Sequence, residues 1–144
     1  MRVLVTGATG FVGPFLPGPL RHICGDEIEI IATGKEPGEH PLFGQVLALD
    51  VTDPAALEAV IGKARPTHVV HLAGIAAPAH ANADPEGSWQ VHLYGTLELA
   101  RAVIRLVPDC WLLNVGSGMI YGESAKTGLP LDETALPAPL DMYS

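Results

Sequence analysis

The sequence predicts an α/β fold, a doubly wound parallel sheet of at least five strands with helices on both faces. Three observations carry this. Short apolar, β-branched runs alternate with helix-like segments from residue 2 to residue 115. The run at 67–72 (THVVHL) is short and apolar enough to be a strand covered on both faces. The first run, 2–6, passes directly into three evenly spaced glycines, Gly7, Gly10 and Gly13, inside which a helix can begin.

The elements follow in order. Residues 2–6 form the first strand and 11–23 the first helix. Pro17, Gly18 and Pro19 oppose that helix, since an interior proline costs roughly 3 kcal/mol, so it is expected to be short or kinked. Residues 27–33 (EIEIIAT) form the second strand, and 34–44 a loop rich in Gly and Pro. Residues 45–49 form the third strand. Asp53 and Pro54 open a helix as N-cap and first-turn proline, with Leu57, Val60 and Ile61 on one face. Pro66 ends it, and strand four occupies 67–72. Residues 73–84 read as loop and 85–107 as one long helix, on which Leu93, Leu97, Ala100, Ile104 and Val107 form a stripe. Residues 111–115 (WLLNV) are strand five, and 116–144 read as loop.

Composition narrows the function. One domain is the default for this length, and 48% apolar residues suffice for a real core. A net charge of −8 argues against nucleic acid or an anionic membrane as partner. No run of eighteen apolar residues and no signal peptide are seen. Cys24 and Cys110 lack metal-ligand spacing and read as free thiols of a reducing, cytoplasmic setting. His68, His71 and His80 make no metal-ligand pattern, so no metal is assigned.

The glycine turn is the chemical centre. A strand, a glycine turn and a helix N-terminus present unpaired N–H groups and partial positive charge to an anion. Gly7 permits the tight turn, Gly10 close approach of a phosphate, and Gly13 helix–strand packing, which is the content of a dinucleotide fingerprint. The fold is therefore Rossmann-like. Ligands in such sheets sit beyond the carboxyl ends of the strands. After strand one lie Thr9, Gly10, Phe11 and Val12. Strand two ends at Thr33, where an NAD site usually carries Asp or Glu for the ribose hydroxyls. Here Thr33 is followed by Gly34 and Lys35, and a lysine would attract a 2′-phosphate. NADP is therefore preferred over NAD. Asp50 and Val51 follow strand three, Asp50 being suited to accept from an adenine amino group. Leu72, Ala73 and Gly74 stand at the end of strand four, and Val115 ends strand five, followed by Gly116, Ser117 and Gly118.

TGATGFVG, LDVTD, HLAG, SGMIYG and PLDMYS occur in that order along the whole chain. With them the sequence resembles the N-terminal part of the extended short-chain dehydrogenase/reductases, the NAD(P)-dependent sugar-nucleotide epimerase, dehydratase and reductase group. The resemblance implies a catalytic Ser at Ser117 and a catalytic Tyr at Tyr143, with a lysine four residues further on, beyond this sequence. It thus implies a fragment truncated before a C-terminal substrate region, with little turnover alone, and a homodimer formed through long helices. Met119 stands where dehydratases of the group carry an acid, which disfavours a dehydratase. SGMIYG is most like the GDP-4-keto-6-deoxy-mannose reductases, or an epimerase. His92 stands where many relatives have Asn, and reads as a partly buried structural residue. The expected function is reduction or epimerisation of a nucleotide sugar. The alternative is a non-catalytic dinucleotide-binding module that senses redox state, and retention of Ser117 and Tyr143 favours the enzyme.

Overall fold

The computed structural model describes residues 1–141, 143 and 144. Its centre is β1 (Arg2–Thr6), flanked in parallel by β2 (Glu29–Gly34) on one side and β5 (His68–His71) on the other. Beyond β2 lies β4 (Gly44–Ala48), parallel to it, then the short antiparallel β3 (Gly38–His40). Beyond β5 lies β6 (Trp111–Asn114) at the other edge, so the sheet order is β3-β4-β2-β1-β5-β6. The chain thus moves outward in one direction from β1, then returns and moves outward in the other. The strand order reverses between β1 and β5, and a crevice opens at the carboxyl ends of these two strands.

Alternation along β1 distributes the core over two layers. Leu4 packs with Leu57 and Ile61 of α2 (Pro54–Ala64) and with Leu99 and Val103 of α5 (Thr96–Leu106). Val3 and Val5 pack on the opposite face beside Leu16 and Leu20, the latter in α1 (Pro17–Cys24). The α2 start is as expected: Asp53 Oδ1 accepts from the Ala55 and Ala56 amides at 2.9 and 3.2 Å, ahead of Pro54. On β6, Leu112 packs against the core, while Trp111 and Leu113 point away and stay exposed.

Four expectations need correction. The first helix does not run from 11. A tight 3-10 turn, Gly13–Phe15, comes first, and α1 starts at Pro17. Pro17 and Pro19 then both lie in a first turn, where a missing N–H costs nothing. The 34–44 loop contains β3, turned back onto β4 by Gly44 at φ +69°. The 73–84 loop contains α3 (Pro78–Ala83), followed by α4 (Pro85–Ser88). The long helix is interrupted: between α4 and α5, residues Trp89–Gly95 make a π-helical turn. Leu93, Leu97 and Ile104 of the proposed stripe are exposed, and the core face is carried by Leu99, Ala102 and Val103.

The 116–144 stretch also has local order. A 3-10 turn over Gly118–Tyr121 leads into the short α6 (Gly122–Ala125). The Ile120 carbonyl accepts from the Ala138 amide at 2.8 Å, and the Ala138 carbonyl accepts from the Glu123 amide at 3.0 Å. These bonds fold the segment back on itself.

Candidate active site

The crevice beside β1 is one groove with two arms. The arms, about 390 and 580 Å³, share Gly7, Gly10, Leu72, Ala73, Gly74 and Ile75. Gly7 makes the join. Its φ is +65°, and a Cβ there would lie 2.7 Å from the Ala73 amide nitrogen, so the two loops touch backbone to backbone. Gly13 fixes the far side of the turn, where a Cβ would lie 1.9 Å from the Ala8 carbonyl oxygen.

The larger arm is lined by Thr9, Lys35, Asp50, Val51 and Thr52. Asp50 accepts from the Thr52 hydroxyl at 2.7 Å and its amide at 2.9 Å, which holds the carboxyl below its ordinary range; nearby Lys35 adds to this. The smaller arm is lined by Phe11, Val12, Val115, Ser117 and Tyr143, and by two residues the sequence did not nominate, His92 and Thr96. Ser117 Oγ caps the turn that follows by accepting from the Met119 amide at 3.1 Å. Its hydroxyl proton remains for another acceptor.

Thus the structure brings Gly7, Thr9, Gly10, Phe11, Val12, Lys35, Asp50, Val51, Leu72, Ala73, Gly74, Val115, Ser117 and Tyr143 to the groove walls. Thr33 and Gly13 line neither arm. Thr33 is buried, its hydroxyl donating to the Val5 carbonyl at 3.2 Å and its own carbonyl accepting from the Ala8 amide at 2.9 Å. The position of Thr33, twenty places past Gly13, gives no sign of which way its side chain points.

Behind the smaller arm lies a buried relay whose proton positions can be assigned. The Thr96 hydroxyl donates to the His92 carbonyl at 2.7 Å, so it accepts from His71 Nε2, 3.2 Å away. His71 Nδ1 is then the acceptor, and the Thr6 hydroxyl donates to it at 2.6 Å. Thr6 Oγ1 in turn accepts from the Ala73 amide at 3.4 Å. All are satisfied with His71 neutral. Burial, with a smaller contribution from nearby His92, pushes the His71 pKa down from 6.5 to about 4. The relay ties the end of β1 to the β5 loop and to α5.

Comparison with known proteins identifies the family. Residues 3–144 match the NAD dependent epimerase/dehydratase family. The chain is 31% identical to GDP-6-deoxy-D-mannose reductase of Pseudomonas aeruginosa, over 99% of this chain and 42% of that one. Among solved structures, UDP-glucose 4-epimerase of Thermus thermophilus in complex with NAD superposes with a TM-score of 0.85 at 30% identity, over 99% of this chain and 46% of that one. RMD from Pseudomonas aeruginosa complexed with NADPH superposes with a TM-score of 0.73 at 30% identity, over 99% and 43%. The chain therefore spans less than half the length of these relatives. With its mostly parallel sheet, glycine turn and matching motifs, the chain belongs to the NAD dependent epimerase/dehydratase family.

Proposed function

We propose that this chain is the dinucleotide-binding part of an oxidoreductase that reduces or epimerises a nucleotide sugar, with NADP preferred over NAD. The observation that carries the reading is the shared groove: Ser117 and Tyr143 line the same arm as Gly7 and Gly10. The groove fits such a cofactor. Its middle is bare backbone at Gly7 and Gly10, where side chains would obstruct a pyrophosphate. Thr9, Lys35, Asp50 and Val51 would hold the adenosine half. Leu72, Ala73, Gly74 and Val115 would flank the nicotinamide half.

Bound there, a nicotinamide supplies the hydride donor or acceptor. The remaining steps belong to this chain and its continuation. Ser117 donates its hydroxyl proton to the reacting oxygen of the sugar and orients it. The Tyr143 phenol gives or takes the proton. The lysine expected four residues after Tyr143 would place a positive charge beside the phenol oxygen. Met119 offers no acid or base for eliminating water, so a dehydratase is not proposed.

Cofactor preference is read by titrating the chain with NADPH and NADH. Tighter NADPH binding is expected, and Lys35→Glu should weaken NADPH by about tenfold while changing NADH little. Equal effects on both would remove Lys35 as a phosphate contact. We also propose a homodimer through the exposed face of Trp89, Leu93, Leu97 and Ile104. Sedimentation should show a dimer that Leu97→Glu converts to monomer. A monomeric parent at about 100 μM would reject this.

A further inference from the structure

His92 lies on the π-helical turn Trp89–Gly95, a rare geometry that recurs at functional sites. Its Nε2 accepts from the Ile75 amide at 3.2 Å. Its ring lies against Gly74, where a Cβ would be 2.9 Å from Cε1. On its other side it meets Tyr143 edge to face, ring centroids 6.2 Å apart. The His92 carbonyl is held by Thr96, and through Thr96 by His71. One side chain therefore touches both the β5 loop that floors the smaller arm and the tyrosine at its mouth.

We propose that His92 is a positioning residue that holds residues 73–75 and Tyr143 in one frame, and so sets the shape of the nicotinamide arm. This rests on the reading of the groove as a dinucleotide site. Because Nε2 accepts, the neutral ring carries its proton on Nδ1. A replacement must therefore keep an acceptor at the Nε2 position. Glutamine does so with Oε1, and alanine does not.

The test uses two ligands. NADPH fills both arms, while adenosine 2′,5′-bisphosphate reaches only the adenosine arm, which His92 does not line. His92→Ala should weaken NADPH about fivefold, the loss of one hydrogen bond, and leave the bisphosphate unchanged. His92→Gln should restore NADPH to within about twofold of the parent. Equal weakening of both ligands, no weakening of either, or no rescue by glutamine would overturn the proposal. A parent chain that binds neither ligand would overturn the groove reading itself, and this proposal with it.

Discussion

Gly13→Ala should unfold the chain or cost it at least about 3 kcal/mol. The new methyl would lie 1.9 Å from the Ala8 carbonyl oxygen, 2.5 Å from its carbon and 2.8 Å from its Cα. All three are backbone atoms, so no side chain can swing aside. The Ala8 amide is itself bonded to the Thr33 carbonyl, which fixes that backbone to β2. Relief requires the glycine turn to separate from the sheet, and domains hold only about 5–15 kcal/mol in reserve. Gly18→Ala is the control. Nothing lies within 4 Å of a Cβ there, and the residue sits in the first turn of α1, so stability should be unchanged or rise slightly. Urea unfolding followed by circular dichroism separates the two. Matching midpoints would show that Gly13 is not in contact with Ala8.

The second large effect is on pH dependence. His71 is 2% exposed and neutral in the folded chain, with a pKa of about 4 against 6.5 for the free side chain. Between those values the unfolded chain binds a proton that the folded chain refuses, so stability rises with pH. The contribution is complete above about pH 6.5, falls as the pH drops towards 4, and amounts to roughly 3 kcal/mol across that window. Asp50 acts lower down: its carboxyl is held below 3.8, so its contribution is lost only as pH falls below that value. Denaturation midpoints at about pH 7.5, 6.5, 5 and 4 should trace the His71 limb. His71→Leu should flatten it while lowering stability at neutral pH by about 1–3 kcal/mol, because the buried Thr6 hydroxyl loses its acceptor and the Thr96 hydroxyl loses its donor. A parent protein with level midpoints over this range would show that the histidine titrates normally.

The sheet was legible wherever one signal dominated. The runs at 2–6, 27–33, 67–72 and 111–115 became strands with ends shifted by at most two residues, because each is a short apolar run rich in β-branched or aromatic residues and bounded by turn residues. Asp53-Pro54 read cleanly as a helix start because capping is local chemistry. What escaped was decided between distant residues. Helix α5 carries two apolar stripes. Only the sheet decides that Leu99 and Val103 are buried while Leu97 and Ile104 are not. The π-helical turn leaves no periodic mark over seven residues, so His92 read only as a partly buried structural residue of a continuous helix, whereas it is exposed on the turn. Strand β3 is three residues of Gly, Glu and His, with no strand propensity, and exists because β4 offers a free edge. The clustering of the candidate groove residues was legible for most positions, since strand ends fix where loops emerge. Thr33 escaped because its orientation depends on pleat phase, and a one-residue shift inverts it.

The position of β1 has a consequence for synthesis. It is the first segment of this sequence to leave the ribosome, yet it is a central strand, with Val3 aligned on His68 and Thr6 on His71. At roughly 5–20 residues per second, β5 follows some 3–13 seconds later. Through that interval the nascent strand can gain β2 but keeps one open, apolar flank. It is then available to a holdase chaperone or to a neighbouring nascent chain on the same message.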